Sequence, residues 1–202
     1  MTKIKLCGLR RAEDIEAANG LQPDYIGFVF AEKSRRRVDP DTAGALKALL
    51  RPGIQAAGIF VDAEAETVAE LLNQGVIDLA QLHGHEDPAY IARLRRLTER
   101  PLIQAFRVAS EADALKAEQS PADFVLLDAG AGDGVTFDWQ LLRGVRRPFF
   151  LAGGLSPENV GQAVGEVRPF GVDVSSGIET DGMKDIQKMR AFVAAVRERD
   201  RA

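Results

Sequence analysis

Short runs of apolar, β-branched or aromatic residues alternate with longer amphipathic segments along the whole chain. These strand candidates recur roughly every 20–30 residues, the length of one strand-plus-helix unit. Between them the apolar residues follow helical spacing, as in the segments 63–73 and 185–197. Eight strands are predicted: Lys3–Cys7, Tyr25–Phe30, Gln55–Val61, Asp78–Leu82, Leu102–Phe106, Phe124–Leu127, Phe149–Ala152 and Gly171–Ser175.

Capping signals mark where several helices begin. In each, a capping side chain precedes a proline or an acidic residue in the first turn. The signals are Asp39-Pro40, Asp87-Pro88, Ser110 with Asp113, and Ser156-Pro157-Glu158. Eight strand–helix units fit a closed barrel or an open doubly wound sheet. Because no early G-x-G-x-x-G fingerprint marks a dinucleotide site, we predict an α/β fold with residues 1–202 forming a single-domain (β/α)8 TIM barrel.

Composition limits the class of protein and its partners. The chain of 202 residues is 46% hydrophobic and 28% charged, as in ordinary globular proteins. A net charge of -4 gives no reason to expect nucleic acid or an acidic membrane surface as partner. One cysteine cannot form an internal disulfide, and we find neither a signal peptide nor an apolar run long enough to cross a bilayer. We expect a cytoplasmic monomer or homodimer.

Two candidate catalytic residues end predicted strands, and strand carboxyl ends form the active face of such barrels. Cys7 ends the first strand. As a thiolate it could act as a base or nucleophile; the alternative is a small buried hydrophobic residue. Asp128 follows the sixth strand, where partial burial can make a carboxyl group a general acid. The alternative is an aspartate that hydrogen bonds within its own turn.

Glycine-rich loops follow the last three predicted strands. Glycine lets backbone N–H groups approach an anion closely, and these barrels bind phosphate after strands seven and eight. The alternative is that they are ordinary turn glycines, but three such loops on one face favour a barrel of the phosphate-binding type. The loops contain Gly130, Gly132 and Gly134, then Gly153 and Gly154, then Ser175, Ser176 and Gly177.

Charged residues at other strand ends carry weaker signals. At most one of Arg35, Arg36 and Arg37 is expected to face inward, where a guanidinium could bind a carboxylate. His83 is either a base or a hydrogen-bonded histidine at a strand end. No histidine, cysteine or aspartate cluster has metal-ligand spacing, so we expect no metal.

A buried ion pair is predicted between the first and last strands. Lys5 shares a strand face with Cys7, and Asp173 shares one with Ser175. Strands one and eight are neighbours in a closed barrel. A Lys5–Asp173 pair would therefore satisfy charges that are otherwise costly to bury.

Ordered motifs run along the whole chain. They are Lys5-Leu6-Cys7-Gly8, Gly27-Phe28-Val29-Phe30, Ser34 with Arg36 and Val38, Gln81-Leu82-His83-Gly84, Leu127-Asp128, Thr136-Phe137-Asp138-Trp139, Leu151–Leu155 and Gly171–Glu179. Together they resemble the phosphoribosylanthranilate isomerase family. The resemblance implies a cofactor-free Amadori rearrangement of a phosphorylated small molecule in tryptophan biosynthesis, with Asp128 as general acid and Cys7 as general base. It also implies that Arg36 binds the anthranilate carboxylate. Further substrate contacts are implied for His83, Gly132, Gly134, Gly153, Gly154, Asp173, Ser175, Ser176 and Gly177.

Two alternatives to this isomerase remain. Another phosphate-binding barrel enzyme, such as an epimerase or the histidine-pathway isomerase, would need metal ligands or paired aspartates at the strand ends. A non-catalytic binder of phosphorylated sugars would keep the glycine loops but would not need Cys7 or Asp128.

Overall fold

A closed barrel of eight parallel strands forms the centre of the molecule, as predicted. The computed structural model describes residues 1–128 and 138–202. The strands pair in chain order, and β8 returns to pair with β1. Every strand end lies within one residue of its predicted position. The strands are β1 (Lys3–Cys7), β2 (Tyr25–Val29), β3 (Gln55–Phe60), β4 (Leu79–Leu82), β5 (Leu102–Arg107), β6 (Phe124–Asp128), β7 (Phe149–Ala152) and β8 (Gly171–Val174).

Helices surround this barrel, and three of the predicted caps are confirmed. Asp39, Asp87 and Ser110 each accept a hydrogen bond from a backbone N–H in the first turn of the following helix. No helix of the described residues is long and apolar enough to span a bilayer. The described part of the chain contains α1 (Ala12–Leu21), α2 (Pro40–Ala48), α3 (Ala65–Asn73), α4 (Pro88–Arg95), α5 (Glu111–Lys116), α6 (Val160–Val167) and α7 (Ile186–Arg199).

The start of α6 differs from the prediction. We expected this helix to open at Ser156, but its first helical residue is Val160. The side chain of Asn159 explains the delay, because its Oδ1 accepts from the Ser156 N–H at 2.8 Å and its Nδ2 donates to the Gly154 carbonyl at 2.9 Å. These bonds hold the preceding residues in a turn. Between β6 and β7, the described residues contain one 3₁₀ turn, Trp139–Leu142, capped by Asp138 as predicted.

Two apolar layers follow from the alternation of side chains along each strand. In β6, Val125 and Leu127 pack outward in the main core beneath the helices. Phe124 and Leu126 point into the barrel, where Leu126 belongs to a buried cluster with Phe150 and Phe124 packs against it. Tyr25 meets Phe150 edge to face, with ring centroids 5.5 Å apart. Aromatic side chains therefore fill the lower part of the barrel and leave its carboxyl end for polar groups.

After β8 the chain makes a 3₁₀ turn, Ser176–Ile178, and then a small antiparallel hairpin. The hairpin consists of β9 (Glu179–Thr180) and β10 (Met183–Lys184). It comes between β8 and α7, and it brings two buried charged residues, Glu179 and Lys184, to the carboxyl end of the barrel.

Candidate active site

A cavity of about 660 Å³ opens at the carboxyl end of the barrel. Such a volume is typical of a small-molecule site. Gly132 and Gly134 lie outside the described residues. Nine of the predicted site residues line the cavity: Cys7, Arg36, His83, Asp128, Gly153, Gly154, Asp173, Ser175 and Ser176.

Cys7 is both buried and part of the cavity wall. Its residue surface is 7% exposed, and it packs in a small cluster with Val29 and Ile59. A Cβ at position 27 would lie 2.9 Å from the Cys7 Sγ, so Gly27 leaves room for the thiol. Burial raises the pKa of Cys7 because the thiolate loses hydration, and the Lys5 ammonium only partly opposes this effect. In the free protein the sulfur is therefore a neutral thiol.

The Lys5–Asp173 ion pair forms inside the barrel, as predicted, and Asp173 lines the cavity. The two residues face each other in the β1–β8 register, and Lys5 Nζ is 2.9 Å from Asp173 Oδ1. The Lys5 side chain is fully buried. Burial alone would lower the pKa of Lys5, but the negative charge of the neighbouring Asp173 carboxylate opposes this effect, and the pKa is raised. Lys5 therefore places a positive charge on the same strand face as Cys7.

Asp128 lies at the end of β6 and faces a histidine from β4. His83 Nε2 is 3.3 Å from Asp128 Oδ2. On the other side of the imidazole ring, Gln81 Nε2 is 3.0 Å from His83 Nδ1. Gln81, which is 1% exposed, precedes His83 by two positions and so shares its strand face. The three side chains form one connected row along the cavity wall.

Glu179 holds Arg36 through two hydrogen bonds. Arg36 Nε donates to Oε1 at 2.6 Å and Nη2 donates to Oε2 at 2.8 Å. Lys184 Nζ also donates to Glu179 Oε1, at 2.7 Å. Burial would raise the pKa of Glu179, but these two cations lower it to about 2. Among the described residues, Arg36 Nη1 has no hydrogen-bond partner, so this part of the guanidinium can still bind a ligand.

The three consecutive arginines differ in position. Arg36 lines the cavity. The Arg35 side chain is 65% exposed, and its Nη2 lies 3.2 Å from Glu179 Oε2, the oxygen that Arg36 Nη2 also contacts. Arg37 is exposed. The arrangement agrees with the expectation that at most one of the three faces inward.

Backbone donors line the cavity rim after β7 and β8. Gly153 and Gly154 have φ of 89° and 64°, a region that favours glycine. The N–H groups of Gly153, Gly154 and Ser176 donate to no acceptor among the described residues. Gly177 follows Ser176 in the chain, and a Cβ there would clash with the Leu155 carbonyl oxygen, so only glycine fits. The close contact joins the loops that follow β7 and β8.

Several residues of the site were not singled out from the sequence. Gln81 was detectable, because it alternates with His83 on one strand face. Lys184 gave no signal, since only the hairpin brings it to the Ser175 carbonyl, 2.8 Å away. Arg107 also lines the cavity, and His85 at the rim pairs with Asp62 at 3.0 Å. Within residues 1–128 and 138–202, no group of three or more histidine, cysteine or acidic side chains could hold a metal ion.

Comparison with known proteins identifies the family. The model of the family described as N-(5'phosphoribosyl)anthranilate (PRA) isomerase matches residues 4–195. This chain belongs to that family. The N-(5'-phosphoribosyl)anthranilate isomerase of Acetivibrio thermocellus is 46% identical, over 99% of this chain and 98% of its own length.

Solved structures of this isomerase family have the same architecture. The Thermotoga maritima enzyme superposes with a TM-score of 0.90 at 33% identity, covering 98% of this chain and 100% of the other. A second structure has a TM-score of 0.87 with the same identity and coverage, and contains reduced 1-(o-carboxyphenylamino)-1-deoxyribulose 5-phosphate. The Thermotoga maritima enzyme is described as dimeric and has been converted to monomers.

Proposed function

We propose that this chain catalyses the rearrangement of N-(5-phosphoribosyl)anthranilate to 1-(2-carboxyphenylamino)-1-deoxyribulose 5-phosphate in tryptophan biosynthesis. Membership of the isomerase family supports the reaction. The observation that carries the assignment of residues is that Cys7 and Asp128, from strands on different sides of the barrel, line one cavity. The reaction needs two proton transfers at separated atoms, and two such groups can perform them.

Asp128 acts as the general acid in the first step. Its protonated carboxyl donates to the furanose ring oxygen, the bond from that oxygen to C1 breaks, and the nitrogen lone pair forms an iminium ion. The carboxylate that remains faces His83 Nε2, 3.3 Å away. An N–H group that faces the charged form stabilises it, which favours the proton transfer.

Cys7 acts as the general base in the second step. As a thiolate it removes the C2 proton, and the C–H electron pair moves to give an enolamine that tautomerises to the ketone. The neutral thiol of the free protein must first ionise. The buried ammonium groups of Lys5 and Lys184 lower its pKa, and the cationic iminium adds to their effect.

The two ends of the substrate are bound at different parts of the cavity. Arg36 binds the anthranilate carboxylate through Nη1, while Glu179 fixes the other edge of the guanidinium. The N–H groups of Gly153, Gly154 and Ser176 bind the phosphate. Gly132, Gly134 and Gly177 are proposed to contribute to the same anion site from neighbouring loops. Asp173 and Ser175 are proposed substrate contacts at the cavity base and wall.

We further propose that residues 1–202 form one barrel domain working in the cytoplasm as a monomer or homodimer. The absence of a membrane-spanning helix among the described residues fits this location. The partner proposed is a phosphorylated small molecule, without nucleic acid.

A fluorescence assay that follows the disappearance of freshly made phosphoribosylanthranilate tests the function. We expect Cys7→Ser and Asp128→Asn each to lower kcat by about a hundredfold or more with little change in KM. Arg36→Ala should instead raise KM mainly for the anthranilate end. Asp41→Asn, an exposed carboxyl on α2, is the matched control and should keep full activity. Near-full turnover of both catalytic variants would refute the proton-transfer assignment.

A further inference from the structure

Gln81 is a polar side chain that the reaction described above does not use. It lies inside the barrel at 1% exposure, and its Oε1 is buried without a hydrogen-bond partner among the described residues. An unpaired buried acceptor is destabilising, because it loses its hydrogen bonds to water on folding. A leucine of similar size would avoid that cost. Any role of this amide must therefore come from the hydrogen bond that its nitrogen makes.

The nitrogen of Gln81 determines where His83 carries its proton. An amide Nε2 has only hydrogens to offer, so at 3.0 Å from His83 Nδ1 it donates and Nδ1 accepts. A neutral imidazole with an accepting Nδ1 carries its proton on Nε2. Nε2 is the atom that faces Asp128 Oδ2 at 3.3 Å. Gln81 thus makes His83 a donor toward Asp128.

The direction in which the His83 N–H points has a chemical consequence. A donor facing Asp128 favours its carboxylate over its protonated form. The opposite tautomer, with the proton on Nδ1, would present a lone pair to Asp128 and favour the protonated form. The row of side chains therefore stabilises the state that Asp128 reaches after giving its proton to the substrate.

We propose that Gln81 is a positioning residue that fixes the Nε2–H tautomer of His83 and so strengthens Asp128 as an acid. The part of this inference that concerns catalysis rests on the proposed function. The tautomer itself does not, because it follows from the hydrogen-bond geometry of the free protein.

Nitrogen-15 NMR of labelled protein tests the tautomer directly. The chain has only two histidines, and His85→Gln removes the second signal. We expect neutral His83 to be protonated at Nε2 in the unsubstituted protein. In Gln81→Glu, whose carboxylate can only accept, the proton should move to Nδ1 or the ring should become doubly protonated. A proton on Nδ1 in the unsubstituted protein would overturn the proposal.

The pH profile of kcat tests the catalytic part. Loss of the donor raises the pKa of Asp128. Because the Cys7 thiol has the higher pKa of the two groups, the acidic limb of the kcat profile follows Asp128 and the alkaline limb follows Cys7. Gln81→Leu should therefore shift the acidic limb upward by about one pH unit, with the alkaline limb and KM little changed. An unshifted acidic limb in both Gln81→Leu and Gln81→Glu would refute the role.

The outcomes separate this inference from the function itself. If the unsubstituted protein does not consume phosphoribosylanthranilate, the proposed function fails, whereas the NMR result still decides the tautomer. If it turns over and the Gln81 variants match it at every pH, only the inference fails. Gln81→Glu is nearly isosteric with the native side chain, so it provides a folded variant if Gln81→Leu unfolds.

Discussion

Removing one partner of the Lys5–Asp173 pair should strongly destabilise the protein. Asp173→Asn leaves the Lys5 ammonium, whose side chain is 0% exposed, without its counter-charge. Breaking a buried ion pair in this way costs about 3–5 kcal/mol. For a chain of this length, each kcal/mol lowers Tm by about 2–4 °C. We therefore expect Tm to fall by about 6–20 °C.

Replacing both partners should cost far less. A Lys5→Met and Asp173→Leu double variant removes both charges, and such replacements of a buried pair are often neutral or stabilising. The exposed pair Arg93–Glu66, with nitrogen and oxygen 2.7 Å apart, is the control. Glu66→Gln should change the free energy of unfolding little, because exposed ion pairs contribute little to stability.

Urea unfolding followed by circular dichroism gives the free energies of unfolding. Two results would contradict this expectation: Asp173→Asn loses no more free energy of unfolding than Glu66→Gln, or the double variant loses as much as the two single variants together. Alkylation of Cys7 at different pH values adds an independent test. Asp173→Asn should lower the pKa of the thiol and Lys5→Met should raise it, because the two charges act on Cys7 in opposite directions.

Three further predictions concern individual side chains. The pKa of Glu179 is lowered to about 2. Its contribution to stability is therefore present above pH 4.5 and is lost as the pH falls through about 2. Glu179→Gln should remove this contribution, so the free energy of unfolding should change by about 3 kcal/mol less across that pH range. Burial raises the pKa of Tyr90 to about 12, and its hydroxyl has no hydrogen-bond partner among the described residues. Tyr90→Phe removes this unpaired group, so Tm should stay unchanged or rise by a few degrees. A fall in Tm of more than about 4 °C would contradict this expectation. Gly177→Ala should raise KM several-fold, because the added methyl group forces apart the loops after β7 and β8. Gly44→Ala is the control and should keep the native KM, because no atom lies within 4 Å of the added Cβ.

The barrel could be predicted from the sequence because the residues that mark each strand lie within or beside that strand. Most strands are short apolar runs with a charged residue, a glycine or a proline at one or both boundaries, and the predicted boundaries agree with the structure to within one residue. The Lys5–Asp173 pair was also predictable. Alternation puts Lys5 and Cys7 on one face, and closure makes β1 and β8 neighbours.

The network around Arg36 could not be predicted in the same way. Glu179 is 143 positions from Arg36 in the chain, and the contact depends on the path of the hairpin after β8. No periodicity encodes that path. The start of α6 was wrong for a related reason, because the Asn159 side chain competes with the helix for the backbone groups of Gly154 and Ser156.

Because aromatic side chains fill the lower barrel, the cavity is open only at the carboxyl end of the strands. Phe150 and Tyr25 close its floor, below the Lys5–Asp173 pair. A molecule that enters from the carboxyl end must leave the same way. Substrate and product therefore pass through the same opening, and a new substrate molecule cannot bind until the ketone product has dissociated.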